Sequence, residues 1–129
     1  MANPFLFKSA CFFGTLHLLI IYYYNVFLTI YSVIYLTAVA TSLWNHSVTS
    51  DLAKWGDRVT IYTVFAFDIL AAFVLNKPAE YILTMMTAVG CYFNAKYQDN
   101  RGNKGKRDWS HFATHGIWTI MHMFVIYEA

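Results

Sequence analysis

Apolar residues dominate this chain in five runs, at about 5–24, 26–47, 58–76, 79–95 and 109–127. Each run is roughly 17 to 22 residues, near the length of a helix that crosses a hydrocarbon layer. Such runs leave few ways to fold, because a small water-soluble domain could not hide them: 58% of the 129 residues are hydrophobic, 19% are aromatic and only 12% are charged. The sequence therefore predicts an all-α fold, a polytopic transmembrane bundle of about five spanning helices forming a single domain over residues 1–129. The first run is not read as a removable signal, since a second run follows at once after Asn25 with no small-residue cleavage site. Short turns at Tyr24–Asn25 and at Asn76–Lys77–Pro78 make two antiparallel helical hairpins, with Pro78 suited to a loop or a helix's first turn.

The basic residues orient this bundle. If the loop after His46 is cytoplasmic, then Lys8, Lys54, Arg58, Lys96, Arg101, Lys104, Lys106 and Arg107 all fall on the inner side, leaving Lys77 outside. The N-terminus is expected in the cytoplasm and the C-terminus on the opposite side of the membrane. Tyr22, Tyr23, Tyr24, Trp44, Trp55, Trp109 and Tyr127 stand near helix ends, where an apolar body and a polar handle suit the interface. With cations gathered for topology, nucleic-acid binding is not expected. Cys11 and Cys91 lie inside apolar runs and read as small core fillers.

Polar residues inside such runs are costly unless they meet a partner, an ion or water. Ser42 and His46 occupy the last turns of the second run, Asp57 follows eleven positions on, and His111 and His115 open the fifth. All five are expected at the cytoplasmic boundary. Residues four apart on a helix share a face, roughly 5 to 6 Å between Cβ atoms, so His111 and His115 can aim at one ion. With His46 they make three neutral imidazole ligands, an open tetrahedral Zn2+ site with room for water.

The segment Ser42-Leu-Trp-Asn-His46, the following Asp57 and the pair His111-Phe-Ala-Thr-His115 resemble the Ser, Asp and triple-His signature of the alkaline ceramidase and adiponectin-receptor superfamily of membrane hydrolases. The intervals are most similar to those of alkaline ceramidases. The resemblance implies zinc held by His46, His111 and His115, with Ser42 and Asp57 in the catalytic centre. It also implies a membrane lipid substrate, ceramide-like or another acyl lipid, hydrolysed at its amide or ester bond. Asp57 would accept the proton of the metal-activated water, and Ser42 would donate to the developing oxyanion or orient that water. Members of the family have seven helices, so a pair between the third helix and the last is missing here. Losing a pair keeps the last helix starting on the same side.

Further polar residues carry lesser expectations. His122 shares a face with His115 and is expected to hydrogen-bond inside the bundle or to substitute as a ligand. His17 has no spaced partner. Asp68 is expected to bond a neighbour such as Asn94 or to line a cavity. Asp57 taken alone would be a helix N-cap beside Gly56. Asn45-His46-Ser47 matches a glycosylation sequon but lies on the cytoplasmic side. Residues 96–108 are polar and without apolar period, and are expected to form a mobile connector that contacts headgroups or covers the site. Two other functions stay open: a non-catalytic assembly protein with a metal staple between its second and fifth helices, and an ion transporter using His46, His111, His115, His122 and Asp68 as a relay.

Overall fold

The structure is a computed structural model describing residues 2–26 and 29–128. Among these the chain forms five α-helices and no strand: α1 (Pro4–Tyr23), α2 (Ile30–Ser47), α3 (Asp51–Val74), α4 (Pro78–Asn100) and α5 (Lys104–Glu128). The all-α expectation holds. Phe27 and Leu28, near the start of the second apolar run, lie outside the described residues.

Local chemistry sets the helix starts. Asn3 caps α1 by accepting from the Leu6 amide at 3.0 Å, with Pro4 in the first turn, where a missing N–H costs nothing. Ser50 caps α3 by accepting from the Ala53 amide at 3.4 Å. The cap is therefore Ser50 and not Asp57, which lies two turns inside α3 and is buried. Pro78 stands in the first turn of α4. Asn25 (φ 53°) and Asn76 (φ 57°) turn the chain in the left-handed region, which Asn tolerates better than most side chains.

The expected mobile connector is instead mostly helix. α4 runs on to Asn100 and α5 begins at Lys104, leaving a turn of Arg101, Gly102 and Asn103, in which Gly102 supplies φ 75°. Arg107 closes it from α5, meeting Asp99 and Asp108 at 2.9 and 2.8 Å, and Asn103 donates to Gln98 at 2.9 Å. Ion pairing carries both helices beyond the point where their apolar pattern stops.

Each helix packs on its neighbour in the sequence, and α5 returns against α1, so the five close into a ring. α1 and α2 approach closely at Gly14, where an added Cβ would come within 2.6 Å of Val39 Cγ1. One end of the ring gathers the N-termini of α1, α3 and α5 with the C-termini of α2 and α4. There the Asn3 amide N–H donates to the His46 carbonyl at 3.2 Å and the Asn3 side chain to Asp108 at 3.2 Å. At the other end Lys77 meets Glu128 at 3.9 Å and Tyr24 packs edge-on to Tyr127.

The distribution of polarity is inverted relative to a globular domain in water. Ser9, His17, Ser32, His46, Asp57, Asp68, Thr114, Thr119 and His122 are buried, whereas Leu19, Ile30, Tyr62, Leu70, Phe73, Val74, Leu83, Met86 and Phe124 are exposed. Among the described residues one helix, α1, is long and apolar enough by length and composition to cross a membrane, with a mean hydropathy of 1.6. The other four dilute their apolar character with Thr, Tyr and Trp and with the charged ends just described.

Candidate metal centre

Three histidines meet at the end of the ring that holds Asn3. His46 comes from the last turn of α2, while His111 and His115 stand one turn apart on α5. Ring centroids lie 5.2 Å apart for His46–His111, 5.7 Å for His46–His115 and 4.8 Å for His111–His115. One nitrogen from each ring lies within 4.8 Å of the other two. Three atoms at that separation share a point about 2.8 Å from each, so movements under about 1 Å reach the roughly 2.0–2.1 Å of a zinc–imidazole bond. Asn3 ties α2 and α5 together at this level through the two bonds given above.

Two observations fit the cluster to a metal. His46 Nε2 is buried and has no hydrogen-bond partner among the described residues, and a buried polar atom left so costs about 1–3 kcal/mol. His115 Nδ1 lies 3.2 Å from Ser9 Oγ on α1, which occupies that nitrogen and leaves Nε2 for the ion. Ser9 is itself buried. Phe13 edges onto His115 and Tyr92 onto His111, closing the sides of the cluster with aromatic surface.

Ser42 and Asp57 are placed differently from the three imidazoles. Among the described residues, no hydrogen bond joins either to a histidine of the cluster. Asp57 Oδ2 accepts from the Asn45 amide at 2.7 Å, while its buried Oδ1 has no partner. Burial pushes the Asp57 carboxyl up to about 6, with the Asn45 hydrogen bond and Arg58 acting in the opposite direction. Asp57 stands just before the third apolar run. Ser42 is half-buried on α2. A groove of about 470 Å³ on the outer face of α2 is lined by Val33, Leu36, Thr37, Ala40, Thr41 and Trp44, and includes none of the three histidines.

A second polar cluster lies deeper in the ring. Asp68, fully buried on α3, accepts from Tyr35 at 2.9 Å and from the Trp118 indole at 2.8 Å, and its Oδ2 lies 3.1 Å from His122 Nε2. Asn94, the partner expected for Asp68, instead donates to Ser110 at 2.6 Å. His122 does bond within the bundle, its Nδ1 lying 3.0 Å from His17 Nε2, so His17 has a partner after all.

Sequence spacing missed Ser9, His17, Tyr35 and Asn3. Their partners lie on other helices, up to 106 residues away for Ser9 and His115, and no local period encodes which helices touch. Small polar residues on α1 facing a ring closure were the available signal. No family model matches this chain, and no curated protein and no solved structure is similar to it at a significant level. What the fold and the cluster define is an all-α helical ring with three convergent histidines at one end.

Proposed function

We propose that this chain is a multi-pass membrane protein that binds zinc through His46, His111 and His115 and hydrolyses an acyl lipid, most simply a ceramide-like amide. The observation that carries the proposal is the convergence of three imidazoles from α2 and α5, one of them with a buried unpartnered nitrogen. The membrane setting is supported by the inverted polarity of the ring, apolar side chains outward and titratable ones inward. The end with the three histidines also carries every Lys and Arg except Lys77, which favours the cytoplasmic side for the N-terminus and the cluster and the opposite side for the C-terminus.

Bound there, zinc would supply an activated water at neutral pH and polarise an acyl carbonyl. Everything else falls to the chain's own groups. Ser9 holds the His115 ring at its Nδ1 and so orients it; with Nδ1–H donating to the Ser9 oxygen, Nε2 presents its lone pair to the ion. Asn3 fixes the spacing of α2 and α5. Asp57 has one oxygen oriented by Asn45 and the other free to accept a proton from a water or substrate group brought within hydrogen-bond reach. Ser42, at the same end, has a hydroxyl available to donate to an acyl oxygen.

A specific observation favours a second function. The Asn45 amide already holds Asp57, and the α2 groove does not include the cluster, as suits a metal staple joining α2 to α5 without turnover. One experiment separates them: metal analysis of detergent-purified wild type and His111→Ala, with fatty-acid release assayed on ceramides and glycerolipids. Zinc in the wild type alone, with fatty-acid release, supports the hydrolase. Zinc without release supports the staple, and equal metal content in both proteins overturns both.

A further inference from the structure

The deeper cluster carries an inference independent of any metal. Four ring nitrogens join a carbonyl oxygen to a carboxylate oxygen in one continuous series of contacts: Phe13 carbonyl to His17 Nδ1 (2.8 Å), His17 Nε2 to His122 Nδ1 (3.0 Å), and His122 Nε2 to Asp68 Oδ2 (3.1 Å). Every nitrogen of both rings has a partner, which fixes the orientation of each ring. We propose that His17, His122 and Asp68 form a proton-binding site that holds one exchangeable proton beyond two neutral imidazoles and a carboxylate.

The reason is an inventory of hydrogens. A carbonyl oxygen only accepts, so His17 Nδ1 must carry a proton. Each of the other two contacts needs one proton between its heavy atoms, or two lone pairs face each other in a buried site at about 3 Å. Three contacts require three protons. Two neutral rings and a carboxylate supply two. The third can rest in three places without breaking a contact: on His17, with His122 neutral; on His122, with its proton toward Asp68; or on Asp68, with both rings neutral. The remaining arrangement would strip His122 of both protons and is excluded. The trio is uncharged overall in all three allowed states, which suits an interior where a lone charge is costly.

The surroundings stabilise this set. Tyr35 donates to Asp68 Oδ1 and lies flat on His122, ring centroids 3.7 Å apart at 13°, so it serves the carboxylate and the face of a cationic imidazole together. Trp118 donates to Asp68 Oδ2. Tyr31 and Tyr81 complete the titratable groups around Tyr35, and His115 is the titratable neighbour of His17 toward the end of the ring. Transfer along this series moves one proton from α1 through α5 to α3. At each hop an N–H bond breaks as an N–H or O–H bond forms, with no other reactant.

Nitrogen-15 spectroscopy of histidine-labelled protein in detergent at neutral pH tests this directly. A coupling across the His17–His122 hydrogen bond identifies the pair in the wild type without any variant. The expected result is an imidazolium in that pair, or two neutral rings together with an infrared carbonyl band of a protonated carboxyl. Asp68→Asn keeps the shape and can donate its amide to His122 Nε2, so whichever signal is present should vanish completely, with zinc content unchanged. Two neutral rings beside an ionised Asp68, no coupling between the rings, or an imidazolium signal that persists in Asp68→Asn would each overturn the proposal. Loss of zinc binding in His111→Ala leaves this result unaffected, so the two proposals fail separately.

Discussion

The two polar clusters of this bundle use the same side chain on the same helix and treat it oppositely. At the end of the ring, His46, His111 and His115 converge while the Nε2 of His46 has no hydrogen-bond partner among the described residues. About two turns beyond His115 on α5, His122 is bonded at both nitrogens and stacked on Tyr35. A buried imidazole with every partner supplied by the protein is finished as a structure. A group of imidazoles that face one another with nothing to share is complementary to something else, and a divalent cation is the simplest fit. The contrast predicts that substitutions in the deep cluster register chiefly in stability, and those at the end chiefly in metal affinity.

The largest effect belongs to the deep cluster. Asp68→Ala leaves Tyr35, Trp118 and His122 without their shared acceptor, and breaking a buried charged network typically costs about 3–5 kcal/mol. Unfolding in detergent should show a loss of that order, and zinc content per folded molecule should not change. His111→Ala should do the reverse. Metal affinity should fall by more than about 100-fold, since even outer groups that merely orient a ligand are worth 10- to 100-fold. Its metal-free unfolding should stay close to wild type. If both variants changed stability and metal affinity equally, the two clusters would be one cooperative unit and the contrast would be lost.

Asp57 offers a pH test on the end cluster's neighbour. Its folded value of about 6 lies above the ordinary 3.8. A raised acid stabilises the folded state fully below the unfolded value, and that contribution is lost as pH rises through about 6. About 2 units correspond to roughly 3 kcal/mol by linkage. Wild-type unfolding free energy should therefore decline between pH 4 and about 6 by more than that of Asp57→Asn, measured in parallel by denaturant titration. Parallel curves would mean that Asp57 is solvated in the folded protein.

Much of this was legible in the sequence, and what was not has a physical cause. The five helices follow from apolar runs and their breaks, and His111 and His115 declare a shared face by their spacing of four. His46 joins them because three antiparallel hairpin turns return α5 to the end where α2 stops. Ser9 and His17 were illegible because α1 meets α5 only through closure of the ring, a long-range event that no periodicity records. Asp57 taken alone looks like a cap because Gly56 resembles a boundary, whereas Ser50 and Asp51 start the helix earlier. Residues 96–108 read as coil because hydropathy weights charge as disorder, while here Arg107, Asp99 and Asp108 pair across the α4–α5 turn.

Ser9 gives a smaller effect and separates orientation from ligation. Ser9→Ala removes the partner of His115 Nδ1 and keeps all three ligands, so zinc affinity should weaken by about 10- to 100-fold, as for other groups that orient a metal-bound imidazole. Competition with a chelator of known affinity measures it. Ser9→Thr, which keeps a hydroxyl, should recover part of the loss. An unchanged affinity in Ser9→Ala would place the ion on other nitrogens.

The smallest change is the sharpest, because it should be nearly absent without metal, where Asp68→Ala loses several kcal/mol. In metal-free protein the His46 ring buries a nitrogen that has no hydrogen-bond partner among the described residues, and that penalty is present whenever the chain is folded. His46→Leu replaces the flat ring with a slightly bulkier, branched apolar side chain, disturbing some packing while removing the unsatisfied atom, and the two terms are of similar size at about 1 kcal/mol each. Metal-free His46→Leu should therefore unfold within about 1 kcal/mol of wild type, on either side of it. Saturating zinc then widens the gap, because at 100 times its dissociation constant a ligand adds about 2.7 kcal/mol to the protein that binds it and nothing to one that does not. A pair of unfolding curves that nearly coincide under chelation and separate with zinc is the signature of a histidine retained for an ion. Curves already separated by several kcal/mol under chelation would make His46 a structural residue like His122.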